Sequence, residues 1–180
     1  MPRIDTMNTP ADDGAARAML AGSVALSGLD EALRDRLCAH FEWITINPGQ
    51  EIIKEGDSSD FLLAVVSGGL EISKMRKGSP QLVGFARAGS IIGEMGLITS
   101  EPRYATCRAA VESQVGLLTR ERFQRLRTQD EELYHEFVLF LSGYIAKRLA
   151  QVSDMVGALK QQNEIAVQAA TRILDTARAT

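Results

Sequence analysis

Glycines interrupt the stretch from Phe41 to Thr119 about every ten residues, and this spacing restricts the possible folds more than any other feature. The runs between the glycines are too short for most helices, and Leu70–Lys74 alternates apolar and polar side chains as a half-buried strand does. Short strands separated by glycine turns are typical of an antiparallel sandwich or barrel and not of an alternating α/β fold. We therefore predict strands over residues 41–46, 51–55, 61–67, 70–74, 81–86, 105–110 and 114–119.

The pattern changes after Thr119, where turn residues become rare. Residues 120–128 predict a short helix, and residues 131–178 contain no proline and only two glycines, Gly143 and Gly157. The second segment is therefore predicted to be one long helix or two helices in tandem. Upstream of the strands, helical spacing predicts another short helix over residues 30–40, and its apolar side chains are Leu29, Leu33 and Leu37.

These segments divide the chain into three parts. Residues 1–19 are mostly small and polar, include Pro2 and Pro10, and are predicted to be disordered. Residues 20–130 contain the strands with their flanking helices and are predicted to form the folded domain. Residues 131–178 are predicted to be its helical extension, and a chain of 180 residues is long enough for both.

Composition and charge argue against several classes of protein. A hydrophobic content of 45% and a charged content of 24% are ordinary for a globular chain. The formal net charge of −3 gives no indication of a basic face, so we expect no direct binding to nucleic acid. The most apolar run, residues 137–146, is far shorter than the roughly 20 residues that cross a membrane. Two cysteines, Cys38 and Cys107, are consistent with a reducing cytoplasm, and Cys107 is expected in the core.

The sequence contains no pattern that indicates catalysis or metal binding. His40 and His135 are isolated and lack the spacing of metal ligands. We find no nucleophile with a base and an orienting group, so we do not predict an enzyme. Lys74, Arg76 and Lys77 are interpreted as the solvated tip of a hairpin in preference to a nucleic-acid patch.

The segment 93–106, which we name the cassette, carries an acid and a base among small and apolar residues. The planar guanidinium of Arg103 can bind two phosphate oxygens at once, and Glu94 can accept a hydrogen bond from a sugar hydroxyl. Gly96 would let a phosphate approach a helical turn over Met95–Ile98. These properties suit a small anionic sugar phosphate, whereas the alternative is an exposed surface pair of Glu94 and Arg103.

The cassette resembles the phosphate-binding cassette of the cyclic nucleotide-binding domain family, with Gly-Glu-Met-Gly-Leu-Ile followed by Pro-Arg-Tyr-Ala-Thr. The match is wider than the cassette, because Pro48-Gly49, Gly56-Asp57, Ser67-Gly68 and Gly89 fall where the family places its turns. The resemblance covers roughly residues 20–160. It implies an α+β fold, namely an antiparallel, jelly-roll-like β-roll (a double-stranded β-helix) flanked by short N-terminal helices and a long C-terminal helix. It also implies a regulatory protein that binds a cyclic nucleotide.

The resemblance assigns roles to individual positions. Glu94 would hold the ribose 2′-hydroxyl and Arg103 the cyclic phosphate, and backbone N–H groups would complete the phosphate cradle. Those N–H groups belong to Gly96, Tyr104 and Ala105. The other implied ligand-binding positions are Gly93 and Met95 in the cassette and Ile72 and Val83 in the apolar wall beside the ribose and base.

Recognition of the base is less defined by the resemblance. Ser153 matches a position whose hydroxyl reaches the base in the family, while Val152 stands where a related activator has threonine. Tyr104 departs from the threonine typical of kinases that prefer cyclic GMP and from the alanine frequent in cyclic AMP sites. Its side chain can stack on a base, hydrogen-bond through its hydroxyl, or point outward. We favour cyclic AMP over cyclic GMP as the ligand and expect no cofactor.

The predicted C-terminal helix also carries a heptad pattern, which we name the seam. Its members are spaced alternately by three and four residues, and Asn163 occupies an a position, where a buried asparagine favours a parallel pair in register. We therefore expect a homodimer through this helix; the alternative is a helix that packs only on its own domain. The seam positions are Leu149, Val152, Val156, Leu159, Asn163, Ala166, Ala170, Ile173 and Ala177.

The sequence does not reveal an output module. About twenty residues follow Lys160, and this is too short for a helix-turn-helix domain. We therefore expect a cytoplasmic sensor that signals through an unidentified effector protein. The alternatives are a ligand-free scaffold with a degenerate nucleotide fold, and a transcription regulator truncated before its helix-turn-helix domain.

Overall fold

The computed structural model describes residues 13–23, 26–58, 60–99 and 101–178, and the side chains of Asp13 and of residues 169–178 lie outside that description. The helices are α1 (Asp13–Ala21), α2 (Glu31–Cys38), α3 (Met95–Ile98), α4 (Arg120–Gln129) and α5 (Glu131–Arg178). The strands are β1 (Glu42–Ile46), β2 (Glu51–Ile53), β3 (Phe61–Ser67), β4 (Gly69–Arg76), β5 (Ser79–Arg87), β6 (Ile91–Ile92), β7 (Thr106–Ala109) and β8 (Ser113–Thr119).

The strands form two four-stranded antiparallel sheets with the orders β1-β8-β3-β6 and β2-β7-β4-β5. Side chains from both sheets meet in one buried cluster, which includes Ile46, Leu63, Leu70 and Leu117. Cys107 belongs to this cluster, as its place in a predicted strand indicated. The predicted fold class, an α+β β-roll with short N-terminal helices and a long C-terminal helix, is confirmed.

Two elements differ from the prediction. Helix α1 covers Asp13–Ala21, where we expected disorder as far as residue 19, because Ala16 and Leu20 form an apolar edge that is buried near β3 and β8. One buried turn of helix is too short to give a periodic signal. Residues 1–12 lie outside the described residues. Strand β6 was also missed, since two residues, Ile91 and Ile92, carry no alternation.

The chain divides into two compact units, of which the first ends at Val138 and the second begins at Leu139. The start of α5 lies in the first unit. Asp130 accepts a hydrogen bond from the N–H of Leu133 at 3.2 Å, and the Phe123 ring lies 5.9 Å from the Phe137 ring in an edge-on arrangement. The second unit is entirely helical in its described part. Within the described residues, no helix combines the length and apolarity that a membrane crossing requires.

Candidate ligand-binding site

The first half of the cassette is a sharp turn between β6 and the short helix α3. Gly93 makes this turn with a φ of +76°, a value that side-chain-bearing residues rarely adopt. Its carbonyl oxygen accepts a hydrogen bond from the N–H of Gly96 at 2.9 Å. Glu94 is the N-cap residue of α3 and is only 9% exposed, whereas Met95 faces solvent. The predicted helical turn is therefore present, and it begins at a buried glutamate.

The second half of the cassette places Arg103 inside the first unit. Its side chain is 6% exposed, Nη2 donates to the carbonyl of Phe61 at 2.8 Å, and Cζ lies 4.1 Å from the centroid of the Phe61 ring. The backbone is fixed as well, because its N–H donates to the Asp57 carbonyl and its own carbonyl accepts from the Gly56 N–H. The alternative of an exposed Arg103–Glu94 surface pair is wrong, since both side chains are buried.

One nitrogen of the Arg103 guanidinium has no hydrogen-bond acceptor. Nη1 is buried and lacks a partner among the described residues, and a Cβ atom on residue 93 would stand only 2.5 Å from it. Burial lowers the pKa of Arg103, while the nearby charges of Asp60 and Glu94 act in the opposite direction. An arginine stays protonated in such a setting. A buried cationic donor without an acceptor is costly, so this position is suited to an anion.

Of the backbone N–H groups predicted to bind the phosphate, one already has another partner. The N–H of Gly96, predicted to face a phosphate, already donates to the Gly93 carbonyl, because the chain closes a tight turn there. Tyr104 and Ala105 follow Arg103 directly and precede β7. Thr106, the next residue, accepts a hydrogen bond at Oγ1 from the Glu55 N–H at 3.0 Å and anchors the end of the cassette.

The two predicted wall residues lie on neighbouring strands with different exposure. Ile72 on β4 is half-buried and packs against the core cluster. Val83 on β5 is the extra residue of a β-bulge, since Ile72 pairs with Gly84 and the next residue, Ser73, pairs with Leu82. Val83 is 49% exposed. A bulge redirects side chains locally, and this one lies opposite Ile72 and Ser73 of β4.

Tyr104 and Lys74 form a contact that the sequence did not reveal. The Tyr104 side chain is 76% exposed, and Nζ of Lys74 lies 3.2 Å from the centroid of its ring. Of the three residues interpreted as a solvated hairpin tip, Arg76 and Lys77 are exposed, but Lys74 is half-buried. The interpretation is therefore wrong for Lys74, because its side chain covers the ring of a residue thirty positions away.

The predictions for the C-terminal helix concern the second unit. Ser153 lies in α5 and is exposed, and its predicted contact with the base stays a prediction. Four seam residues, Leu149, Val152, Val156 and Leu159, are 46–69% exposed. Asn163 and Ala166 are also exposed, and the side chains of the last three seam positions, Ala170, Ile173 and Ala177, lie outside the described residues.

Two features of the site could not be read from the sequence. Phe61 supplies both a carbonyl acceptor and an aromatic face to Arg103, although 42 residues separate them. Asp57 and Gly56 were recognised only as a turn, yet their backbone fixes Arg103 on both sides. In the part of the chain that the structure describes, no group of three potential metal ligands occurs.

Comparison with known proteins identifies the fold. Residues 43–130 match the family model described as "Cyclic nucleotide-binding domain". The chain is 34% identical over 101 residues to the cAMP-dependent protein kinase regulatory subunit of Yarrowia lipolytica, which covers 56% of this chain and 26% of that protein. It is 29% identical over 130 residues to the cAMP-activated global transcriptional regulator Vfr of Pseudomonas aeruginosa, which covers 69% of this chain and 59% of that protein.

A solved structure shares the fold. A cyclic nucleotide-binding domain from Methylobacillus flagellatus matches with a TM-score of 0.69 at 21% identity, over 81% of this chain and 84% of that one. Residues 43–130, which include the cassette, therefore match the cyclic nucleotide-binding domain family that the resemblance named. The chain spans 26% and 59% of the two curated relatives, so it corresponds to part of each.

Proposed function

We propose that this chain is a regulatory protein that binds a 3′,5′-cyclic nucleotide in the cassette. The observation that carries the proposal is Nη1 of Arg103, a buried cationic donor with no acceptor among the described residues. A cyclic phosphate would supply that acceptor. Its negative charge would also stabilise the protonated guanidinium of Arg103, whose pKa is lowered by burial. Nη2 and the ring of Phe61 hold the guanidinium in place, so Nη1 is preorganised before ligand binds.

The other cassette residues complete a site for the sugar. Glu94 follows Gly93, is nearly as buried as Arg103 and would accept a hydrogen bond from the ribose 2′-hydroxyl. The N–H groups of Tyr104 and Ala105 would bind the remaining phosphate oxygens. Ile72 and Val83 would contact the apolar side of the ligand.

The nucleotide that we expect is cyclic AMP, a proposal that agrees with the names of the two curated relatives. We further propose that the protein is a cytoplasmic homodimer that pairs through the seam on α5, because Leu149, Val152, Val156 and Leu159 are exposed apolar residues at heptad spacing. Binding would change the packing of α5 and thereby the contact with an effector protein. A ligand can drive such a change only through its different affinity for the two states.

Calorimetry on the purified chain tests the binding site. The wild type should bind cyclic AMP, and Arg103→Ala should lose roughly 10²–10⁴ in affinity because two charge-assisted bonds of about 1.5–3 kcal/mol each disappear. Arg103→Lys is the matched variant, since it keeps the charge but not the planar pair of donors. Equal affinity in wild type and Arg103→Ala would eliminate the site assignment, and a thermal melt of both variants separates loss of binding from loss of fold.

A ligand-free scaffold is the second candidate function, favoured by the exposed seam alone. In that case α5 would associate with partners while the β-roll binds no nucleotide. A bound ligand raises the melting temperature through mass action, by an amount that grows with its concentration. A melting temperature that does not change with cyclic AMP, cyclic GMP or cyclic pyrimidine nucleotides would favour the scaffold.

A further inference from the structure

Lys74 lies on the inner face of β4, although the sequence suggested a solvated hairpin tip. Successive side chains of a strand point to opposite faces, so Leu70, Ile72 and Lys74 share one face. Leu70 is fully buried in the core cluster, and Ile72 packs against that cluster. Lys74 continues the same face and is half-buried. Its ammonium is therefore next to the apolar wall of the proposed site and not at the free end of the hairpin.

The pairing of β4 with β7 places Lys74 beside the proposed phosphate cradle. Ile72 lies opposite Cys107, and Ser73 lies opposite Thr106 in this antiparallel pair. One further step of the register puts Lys74 opposite Ala105, whose N–H belongs to the proposed cradle. Neighbouring strands are about 5 Å apart, so Lys74 is one strand spacing from the residues that follow Arg103.

The contacts of Lys74 leave its hydrogen-bond donors available. Nζ lies 3.2 Å from the centroid of the Tyr104 ring, and this ammonium has neither a hydrogen bond nor an ion pair to any described residue. An ammonium group over an aromatic face directs an N–H at the ring and keeps its remaining N–H groups for other partners. Tyr104 is 76% exposed, so much of its ring is accessible as well. A cation with free donors and an accessible aromatic ring thus stand next to Arg103.

We propose that Lys74 and Tyr104 form a base-recognition pair that favours guanine over adenine in the bound cyclic nucleotide. This inference rests on the proposed binding of a cyclic nucleotide in the cassette, and it replaces the preference for cyclic AMP given there. A purine can stack on the Tyr104 ring in place of the Lys74 ammonium, which would then lie at the edge of the base, and such stacking tolerates any base. Guanine presents two adjacent acceptors, O6 and N7, whereas adenine presents N7 beside an amino donor. Lysine has donors only, so it matches guanine and is mismatched with the adenine amino group. The pair therefore acts against the preference for cyclic AMP that the sequence suggested.

Calorimetry with three purine nucleotides tests the pair in the full chain. Cyclic AMP, cyclic GMP and cyclic IMP are titrated into the wild type, Lys74→Met and Arg76→Met; cyclic IMP has O6 and N7 but lacks the guanine amino group. Lys74→Met should lower the affinity for cyclic GMP and cyclic IMP about tenfold relative to cyclic AMP. Arg76→Met is the matched control, because Arg76 is an exposed cation on the same face of the same strand. It should leave the ratios unchanged.

Two further variants and the wild type separate the explanations. Lys74→Arg keeps the charge and the donors and should retain the relative affinity for cyclic GMP, which distinguishes lost recognition from lost folding. Tyr104→Leu should weaken all three nucleotides by similar factors. An equal loss for the three nucleotides in Lys74→Met would mean that Lys74 acts on the phosphate charge alone, and would overturn the proposal, as would unchanged ratios. A wild type that binds none of them would overturn the proposed function and the pair together.

Discussion

Nη1 of Arg103 lies 2.5 Å from the point where a Cβ atom on residue 93 would stand, so Gly93 and the guanidinium occupy adjoining space. The same glycine has a φ of +76° and turns the chain from β6 into the cassette. One residue thus meets two requirements at once, a left-handed backbone and a close approach to a buried side chain. Glu94 follows Gly93 directly, so the glycine that contacts Arg103 also sets where Glu94 begins.

Gly93→Ala should abolish most nucleotide binding. The added methyl group would displace Nη1 of Arg103, and misplacement of a positioned group by about 1 Å can cost two orders of magnitude in function. The left-handed backbone adds about 1–2 kcal/mol of strain for alanine. Affinity for cyclic AMP is measured by calorimetry and stability by chemical unfolding.

Gly49→Ala is the matched control for this variant. Gly49 has a φ of +79°, but a Cβ atom there would meet nothing within 4 Å. It should lose a similar amount of stability to backbone strain and keep its affinity. Equal affinity in the two variants would show that the space beside Arg103 does not matter for the ligand.

Glu94→Ala should remove selectivity for the ribose 2′-hydroxyl. The wild type should bind cyclic AMP about 10–100-fold more tightly than its 2′-deoxy analogue, since a hydrogen bond to a charged group contributes about 1.5–3 kcal/mol. In the variant the two ligands should bind with nearly equal affinity, and the loss for cyclic AMP should be smaller than in Arg103→Ala. A variant that still discriminates between the two ligands would assign the 2′-hydroxyl to another residue.

The sequence predicts what depends on neighbouring residues and misses what depends on register. Glycine spacing and alternation locate most of the strands to within a few residues, and the cassette motif identifies Glu94 and Arg103 as functional candidates, although not their burial. The contact of Arg103 with Phe61 needs β3 to lie beside the cassette. The contact of Lys74 with Tyr104 depends on the pairing of β4 with β7, and no local pattern encodes that pairing.

Arg36→Gln should reduce the loss of unfolding free energy that the protein shows as the pH falls into the acid range. Arg36 Nε donates to Asp130 at 3.0 Å, and this hydrogen bond, more than any other factor, holds the pKa of Asp130 below its usual range. A carboxylate with a depressed pKa in the folded state contributes stability that is present above its unfolded pKa and is lost as pH falls through the folded value. Unfolding is measured by denaturant between pH 6 and about pH 2, a range that extends below the ordinary Asp pKa of about 3.9.

The expected curves are distinct. The variant should be less stable than the wild type at pH 6, and the difference should shrink as Asp130 becomes protonated. The cap of α5 is retained, because Asp130 still accepts from the Leu133 N–H. Parallel curves at all pH values would show that Arg36 contributes nothing through Asp130.

Leu159→Glu should convert the proposed dimer into a monomer. Leu159 is 64% exposed and occupies a d position of the seam, where a pair of helices would bury it against its counterpart. A buried, unpaired carboxylate is strongly unfavourable, so the charged variant should dissociate. Sedimentation of the wild type, of this variant and of a chain without residues 161–180 gives the masses.

Ile165→Glu is the matched control for the seam. Ile165 is 60% exposed on the same helix but lies outside the seam positions, so its replacement should leave the dimer intact. If both glutamate variants dissociate, α5 associates through a broader face than the heptad positions. If the wild type sediments as a monomer, the seam is not a dimer interface, and its exposed apolar residues then need another partner, because such a row of residues on a helix surface rarely stays uncovered.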